Sequence, residues 1–153
     1  MLEIGDKAPN FKGVDEQGKE VKLSDYKGEK LILYFYPKDN TPGCTAESCN
    51  LNDNYQMWQA KGYEVLGVSP DSVESHKKFK TKYNLGFRLI ADTDKKILEA
   101  YGAWGEKNMY GKIVIGVIRK TYVIDEEGVI TQIFGRVKTK EHTEQILKKI
   151  GEK

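Results

Sequence analysis

The chain has 153 residues, of which 39% are hydrophobic and 10% aromatic, so we expect one domain with a buried core rather than a disordered chain. Its 25 basic and 23 acidic side chains leave a net charge of only +2, and this mixed surface differs from the basic stripe that binds nucleic acid. The longest apolar runs have six residues, which excludes a membrane-spanning helix on the sequence because such a helix needs about 20.

Three elements are predicted in the first part of the chain. Residues 1–28 predict a small N-terminal β-hairpin, with short alternating apolar pieces on either side of Glu16-Gln17-Gly18. Leu31 to Tyr36 is a continuous apolar run ended by Pro37, which is typical of a central strand covered on both faces. From Cys44 to Ala60, apolar residues recur at helical spacing, and this predicts the first long helix.

The remaining elements predict an α/β architecture. They are a strand at Tyr63 to Val68, a helix at Ser72 to Tyr83, a strand at Leu89 to Ala91, a helix at Thr93 to Tyr101, strands at Val117 to Ile124 and Val129 to Phe134, and a helix at Lys140 to Ile150. The turn Asp125-Glu126-Glu127-Gly128 predicts that the last two strands form an antiparallel hairpin. We therefore predict a thioredoxin-like fold over residues 1–153, with a central mixed β-sheet flanked by helices and an N-terminal hairpin extension.

Composition also limits the chemistry that the chain can perform. The first residues carry no basic patch followed by an apolar stretch, so we expect no signal peptide and a cytoplasmic location. In a reducing compartment Cys44 and Cys49 are not expected to form a purely structural bridge. The only histidines, His76 and His142, lie in charged helical segments and are predicted to be exposed. Little material is left for a metal site or a histidine-activated nucleophile.

Cys44 lies where a central strand ends and a helix begins, which is where open α/β sheets place their ligand sites. Thr41 and Pro42 suit the N-cap and N1 positions, so Cys44 is predicted near N3 in the first helical turn. Free backbone N–H groups at that turn stabilise a thiolate. The alternative is that Cys44 is simply a small buried residue at a helix start.

Cys49 follows Cys44 by five residues. On an ideal helix their Cα atoms are about 8–9 Å apart, whereas a disulfide tolerates at most about 7 Å. A bond between them would require the helix start to unwind, so the pair is typical of a switch that opens and closes with redox state. The alternative is that Cys49 is an inert helix residue.

These cysteines belong to a longer pattern that resembles the peroxiredoxins, and within them the bacterioferritin comigratory protein or peroxiredoxin Q branch. The matching features, which extend over essentially the whole chain, are Pro37, Thr41 and Cys44 at the Pro-x-x-x-Thr-x-x-Cys spacing, the Cys-x-x-x-x-Cys pair, Gly67 to His76, Tyr101 to Lys107, Met109 to Gly111, and Arg119 before Thr121 to Asp125. Two departures are Leu51-Asn52-Asp53, where the branch commonly has Phe-Arg-Asp, and Gly86, where proline is common.

The resemblance implies a thiol peroxidase. In that interpretation Cys44 reduces hydrogen peroxide or an alkyl hydroperoxide and becomes a sulfenic acid, and Cys49 condenses with it to form an intramolecular disulfide. Thioredoxin or a similar dithiol donor then reduces the disulfide. No metal and no organic cofactor is implied, and neither nucleic acid nor membrane is an expected partner. We expect a monomer, with a weak dimer as the alternative.

The resemblance also implies roles around the sulfur of Cys44. Arg119 would hold that sulfur and the peroxide oxygens, although a surface cation on an edge strand is the alternative. The Thr41 hydroxyl could cap the helix or bond the peroxide, and the resemblance favours the peroxide. Pro37 would wall the pocket and limit water, with an ordinary strand terminator as the alternative.

A later segment, with Trp104, Met109 and Tyr110, resembles the loop beside the active site of this family. By resemblance Trp104 would contact the substrate. Packing is the alternative for all three residues, because aromatic side chains more often pack than bind ligands.

Three other functions remain open on the residues alone. A disulfide reductase or oxidase generally uses Cys-x-x-Cys, and the spacing here is two residues longer. A metallochaperone would need a third convincing ligand. A binding or chaperone module would leave both cysteines incidental. Catalytic loss of peroxide in the presence of a dithiol reductant distinguishes the peroxidase from all three.

Overall fold

The apolar run from Leu31 forms the third strand in a computed structural model, which describes residues 1–151. The strands are β1 (Lys12–Val14), β2 (Glu20–Lys22), β3 (Lys30–Phe35), β4 (Tyr63–Ser69), β5 (Arg88–Ala91), β6 (Trp104–Met109), β7 (Lys112–Val117), β8 (Lys120–Ile124) and β9 (Ile130–Phe134). The α-helices are α1 (Pro42–Asp53), α2 (Tyr55–Ala60), α3 (Val73–Tyr83), α4 (Lys96–Ala100) and α5 (His142–Ile150). Short 3-10 helices occupy Leu23–Tyr26 and Thr139–Glu141.

The central sheet is mixed, with the strand order β5-β4-β3-β8-β9. β3 pairs parallel with β4, and β4 with β5, whereas β8 pairs antiparallel with both β3 and β9. The strands β1 and β2 form a separate antiparallel hairpin. The predicted thioredoxin-like arrangement, including its N-terminal hairpin, is therefore confirmed.

Side chains of β3 alternate between two cores on opposite faces of the sheet, as the two-residue period of a strand requires. Leu31, Leu33 and Phe35 pack with the N-terminal hairpin and α4. Ile32 and Tyr34 pack with α1, α2, α3 and α5 on the other face. Helices thus cover both faces, which explains why the sequence of this strand is continuously apolar.

The first long helix was predicted as one element, and this is wrong. The chain forms α1 and α2, which are separated at Asn54. The Asn54 side chain donates to the Asn50 carbonyl at 2.8 Å, so an amide side chain occupies an acceptor that would continue the helix. The Asn54 backbone N–H turns instead to the Leu51 carbonyl at 3.3 Å.

The single strand predicted from Val117 to Ile124 is also wrong. β7 ends at Val117, and β8 begins at Lys120. β6 and β7 form a hairpin that the sequence did not predict, closed by Tyr110 and Gly111 at φ values of 54° and 83°, which suit a two-residue turn. Arg119 therefore lies in the short connection that returns the chain from this hairpin to the central sheet.

The helix predicted at Thr93 to Tyr101 is shorter in the structure. α4 begins at Lys96, since Lys95 has left-handed backbone angles, with φ of 64°. The Asp92 side chain accepts the backbone N–H groups of Ile97 and Leu98 at 3.3 and 2.7 Å. A carboxylate before the turn thus satisfies donors of the first helical turn.

Asn52 and Gly86, which both depart from the peroxiredoxin Q pattern, contact each other. Oδ1 of Asn52 accepts the Gly86 N–H at 2.8 Å, and Nδ2 of Asn52 donates to the Asn84 carbonyl at 3.1 Å. A proline at position 86 has no N–H for this bond, and a Cβ there would lie 2.9 Å from the Tyr55 ring. The asparagine and the glycine are thus mutually suited.

No helix within residues 1–151 combines the length and the apolar character that crossing a bilayer requires.

Candidate active site

The first turn of α1 places Cys44 at N3, following Thr41 as N-cap and Pro42 at N1. The Cys44 side chain is buried, with 1% of the residue exposed. Thr41 is extended, but its hydroxyl caps no helix N–H and donates instead to the Lys38 carbonyl at 2.8 Å. The Thr41 oxygen therefore keeps its acceptor capacity, and the cap is made by backbone geometry alone.

Arg119 lies against this turn. Its Nη2 donates to the Cys44 sulfur at 3.2 Å. A Cβ at Gly43 would lie 3.4 Å from Nη2, so the guanidinium packs directly beside the backbone of this turn. A cation and free helix N–H groups beside one sulfur stabilise its thiolate. Burial alone would lower the pKa of Arg119, yet the charges of Glu47 and Cys44 raise it above its ordinary value.

A buried carboxylate holds the other side of the guanidinium. Nη1 of Arg119 donates to Oε1 of Glu47 at 2.6 Å, and Glu47 is fully buried. Within residues 1–151, Oε2 of Glu47 has no hydrogen-bond partner. Burial raises the pKa of Glu47 to about 7, although the Arg119 charge acts in the opposite direction. Glu47 is not among the residues predicted from the sequence, and its spacing of three residues from Cys44 was the available signal.

His142 was predicted to be exposed, and this is wrong. The ring is fully buried, 3.6 Å from Oε2 of Glu47. Its Nδ1 faces Oε1 of Gln145 at 3.0 Å, and its Nε2 faces the Thr121 hydroxyl at 2.8 Å. Since the amide oxygen only accepts, we assign the proton to Nδ1, and Nε2 accepts from Thr121. Burial lowers the pKa of His142 to about 4, so the ring is neutral.

His76 was also predicted to be exposed, and this too is wrong, since it is fully buried on the inner face of α3 together with Phe79. The adjacent Lys77 and Lys78 are exposed and conceal this position in the sequence. Helical spacing from Phe79 and Tyr83 was the signal that places His76 on the packed face.

Pro37 and Trp104 have contacts of a structural kind. Pro37 is half-buried and follows Tyr36, whose N–H makes a last strand-type bond to the Val68 carbonyl at 3.0 Å. Trp104 packs against the core at the base of β6, with Nζ of Lys95 5.2 Å from its ring centroid. Neither contact involves the Cys44 sulfur. The role of Pro37 in walling the pocket and that of Trp104 in contacting the substrate therefore stay predictions.

The hairpin tip carries Met109 and Tyr110, which are 45% and 100% exposed. They are not packed in the core, and a role beside the site stays a prediction for them.

Cys49 is half-buried on α1, and both cysteines are free thiols. The two residues occupy one continuous helix, so their Cα atoms are separated by the helical distance of about 8–9 Å. Burial raises the pKa of Cys49, and the Asp53 charge raises it further. Cys49 is therefore a protonated thiol near neutral pH.

One cluster in residues 1–151 has the donor types of a metal site. Asp39, Asp71 and His76 each offer one ligand atom, and these atoms lie within 4.8 Å of one another. Nδ1 of His76 and Oδ2 of Asp39 are 2.7 Å apart, and Oδ1 of Asp39 accepts from the Tyr36 hydroxyl at 2.6 Å. Since hydrogen bonds already occupy these atoms, the geometry favours a proton over a metal ion.

Comparison with known proteins finds a large group of relatives of this chain. Residues 4–133 match the model of the AhpC/TSA family. The chain is 45% identical over 155 residues to peroxiredoxin Bcp of Bacillus subtilis, covering 99% of both proteins.

Two solved structures show the same likeness in three dimensions. A cysteine-to-serine variant of Xylella fastidiosa PrxQ has a TM-score of 0.91 at 36% identity, covering 99% of this chain and 96% of that one. The Xanthomonas campestris bacterioferritin comigratory protein, solved as trapped intermediate/ligand complexes, has a TM-score of 0.85 at 36% identity, covering 92% of this chain and 90% of that one.

Proposed function

The chain belongs to the AhpC/TSA family as a peroxiredoxin of the Bcp/PrxQ branch, and we propose that this thiol peroxidase uses Cys44 to attack hydroperoxides and Cys49 to resolve the product. The observation that carries the assignment of Cys44 is the 3.2 Å bond from Nη2 of Arg119 to its sulfur in the first turn of α1. At Cys49, by contrast, burial and the Asp53 charge both oppose ionisation of the thiol by raising its pKa.

In the first step the Cys44 thiolate attacks one peroxide oxygen. The S–O bond forms as the O–O bond breaks, so sulfur is oxidised to a sulfenic acid and the other oxygen leaves as hydroxide or alkoxide. That oxygen takes a proton to become water or an alcohol. Arg119 presents fixed N–H donors where negative charge moves from sulfur to oxygen, and such preorganised donors stabilise the transition state. The Thr41 oxygen is free to accept a hydrogen bond from the O–H of the peroxide.

In the second step Cys49, ionised to its thiolate, attacks the sulfenic sulfur of Cys44. An S–S bond forms, the S–O bond breaks, and water leaves with the thiol proton. Because the two residues lie five apart on α1, their Cα atoms must approach by at least about 1–2 Å before a disulfide is allowed. Resolution therefore proceeds through an unwound helix start.

In the third step a dithiol protein reduces the disulfide and restores both thiols. Thioredoxin or a similar donor fits this step, since exchange between a thiolate and a disulfide needs no further cofactor. Unwinding of α1 would also present the disulfide to that donor. We propose a monomeric enzyme in the cytoplasm.

Substrate class follows from the relatives. The Xanthomonas campestris protein was studied for its alkyl peroxide reduction activity, and this supports alkyl hydroperoxides beside hydrogen peroxide as substrates of this chain.

A steady-state assay tests the proposal. The purified chain is given thioredoxin, thioredoxin reductase and NADPH, and is then challenged with hydrogen peroxide, tert-butyl hydroperoxide or cumene hydroperoxide. We expect catalytic peroxide loss that disappears without thioredoxin and in the Cys44→Ser variant. Reduction of insulin disulfides without peroxide turnover would instead assign the chain to the disulfide reductases.

A further inference from the structure

Helix α3 contacts the loop between β3 and α1 through a buried histidine–carboxylate pair. We propose that His76, acting through Asp39, is a positioning residue that fixes the loop from Pro37 to Thr41 for the peroxide reaction. The proposal rests on the proposed function, since it assigns a remote determinant of the same site. His76 itself contacts neither sulfur nor peroxide in this scheme.

The Asp39 carboxylate is the centre of the contact. It is 7% exposed and accepts three side-chain donors. The Tyr36 hydroxyl donates to Oδ1 at 2.6 Å, the Ser75 hydroxyl donates to Oδ2 at 2.8 Å, and Nδ1 of His76 lies 2.7 Å from Oδ2. Two of the three donors, those of Ser75 and His76, come from α3.

The position of the proton follows from the far side of the ring. Nε2 of His76 lies 2.8 Å from the Ile90 carbonyl, which can only accept, so Nε2 carries a hydrogen. The short contact between Nδ1 and the Asp39 carboxylate requires a second proton between them. Nε2 of His76 thus donates to the strand carbonyl, and one hydrogen bond joins Nδ1 to the Asp39 carboxylate.

Further bonds fasten the same loop. The Asp39 backbone N–H donates to Oδ2 of Asp71 at 2.8 Å. Asn40 adopts left-handed backbone angles, with φ of 60°, and its Oδ1 accepts from the Tyr83 hydroxyl at 2.9 Å and from Lys82 at 3.3 Å. The two residues before Thr41 are thus each held by side chains of α3 or of the segment before it.

These bonds connect α3 to the active site over a short stretch of chain, from Asp39 to Thr41 and Cys44. Thr41 is the N-cap of the helix that carries Cys44, and it follows Asp39 by two residues. Catalytic groups must be held to within a fraction of an ångström, and a misplacement of about 1 Å can reduce a rate by about 100-fold. Loss of the His76 bond to Asp39 should therefore slow the peroxide step more than it changes the inherent reactivity of the thiol.

Two amide substitutions test the two ring nitrogens of His76 separately, because each keeps only one of the two hydrogen bonds. His76→Asn places an amide donor where Nδ1 lies and keeps a bond to Asp39. His76→Gln reaches towards the Nε2 position and keeps the bond to the Ile90 carbonyl instead. A role in packing or strand attachment would make the glutamine variant the better enzyme, whereas a role in positioning the loop would favour the asparagine variant.

The readout is the single-turnover rate of peroxide reduction, measured beside the rate of Cys44 alkylation by iodoacetamide in a Cys49→Ser background. Iodoacetamide needs the thiolate but no oxygen-binding groups. We expect His76→Gln to react with peroxide about tenfold more slowly than the parent, a barrier increase of about 1.4 kcal/mol. We expect His76→Asn to remain within about threefold, and alkylation to stay within about twofold in both.

A folded His76→Gln variant with the peroxide rate of the parent would overturn the proposal, as would equal losses of peroxide and alkylation rates in both variants. If either variant does not fold, Asp39→Ala removes the carboxylate through which His76 acts. The folded Asp39→Ala variant should lose peroxide rate several-fold with its alkylation rate within about twofold, and an unchanged peroxide rate contradicts the proposal. Absence of peroxide reduction by the parent chain would instead contradict the proposed function itself.

Discussion

The guanidinium of Arg119 is held by the buried carboxylate of Glu47, with Nη1 and Oε1 2.6 Å apart. The same guanidinium bonds the Cys44 sulfur through Nη2. The buried ion pair with Glu47 therefore fixes the orientation of the guanidinium, and this orientation directs Nη2 at the sulfur. Interactions of this kind are strong because the partners are desolvated and bonded in fixed geometry.

Arg119→Lys keeps the positive charge but loses the planar fork. One ammonium group cannot reproduce the geometry in which separate nitrogens bond Glu47 and Cys44. We expect peroxide reduction in a single turnover to slow by at least about tenfold, corresponding to about 1.4 kcal/mol. Arg136→Lys is the matched control, since Arg136 is an exposed arginine. Equal rates for Arg119→Lys and this control would show that the fork contributes nothing.

Glu47→Gln tests the charge behind the guanidinium. Because burial raises the pKa of Glu47 to about 7, the carboxyl is mostly neutral at pH 6 and mostly ionised at pH 8. The ionised form holds Arg119 more firmly, so the peroxide rate per thiolate should rise through pH 7 in the parent. Glutamine cannot ionise, and its profile should lack this rise. The Cys44 thiolate is followed separately by ultraviolet absorbance. A rise of equal size in the glutamine variant would assign it to another group.

How far the sequence predicted these features depends on whether the signal is local. The central strand and the Thr41-Pro42 helix start were predicted because alternation, caps and prolines act over a few residues. Glu47 and His142 were not predicted as buried, since their burial depends on partners such as Arg119, which lies 72 residues from Glu47. Polar residues in charged surroundings are usually exposed, and only the folded chain shows which of them are paired.

The β6–β7 hairpin shows the converse case, in which apolar residues are exposed rather than buried. Ile113 and Ile115 belong to an apolar run, yet they are 73% and 69% exposed. The run therefore did not identify a core strand, and the end of β7 was joined to β8 in the prediction. No local pattern marks the break at Ile118 and Arg119, which exists because the chain there leaves the hairpin and enters the central sheet.

Asp53→Asn should speed the resolving step. Burial is the larger cause that raises the pKa of Cys49, and the charge of Asp53 is the second. Removing that charge increases the thiolate fraction of Cys49 near neutral pH by an amount typical of one surface pair on a helix, or about twofold. Disulfide formation after a peroxide pulse, followed by acid quench and mass spectrometry, should accelerate accordingly. High salt should shrink the difference, and a salt-independent effect would indicate a different cause.

Oxidation should unwind the start of α1. The covalent S–S bond outweighs the hydrogen bonds of one or two helical turns, each of which contributes about 1 kcal/mol net. Amide hydrogen exchange should therefore accelerate between Thr41 and Asp53 on oxidation, while β3 stays protected. Equal protection of α1 in the two redox states would contradict resolution by Cys49 within the same chain.

The most direct test of the central claim compares the two single-cysteine variants in one turnover. Cys49→Ser should consume one equivalent of peroxide per chain and leave a sulfenic acid on Cys44 that dimedone traps, because attack requires only the sulfur beside Arg119. Cys44→Ser should consume none. A full equivalent consumed by Cys44→Ser, with the sulfenic acid on Cys49, would contradict the account.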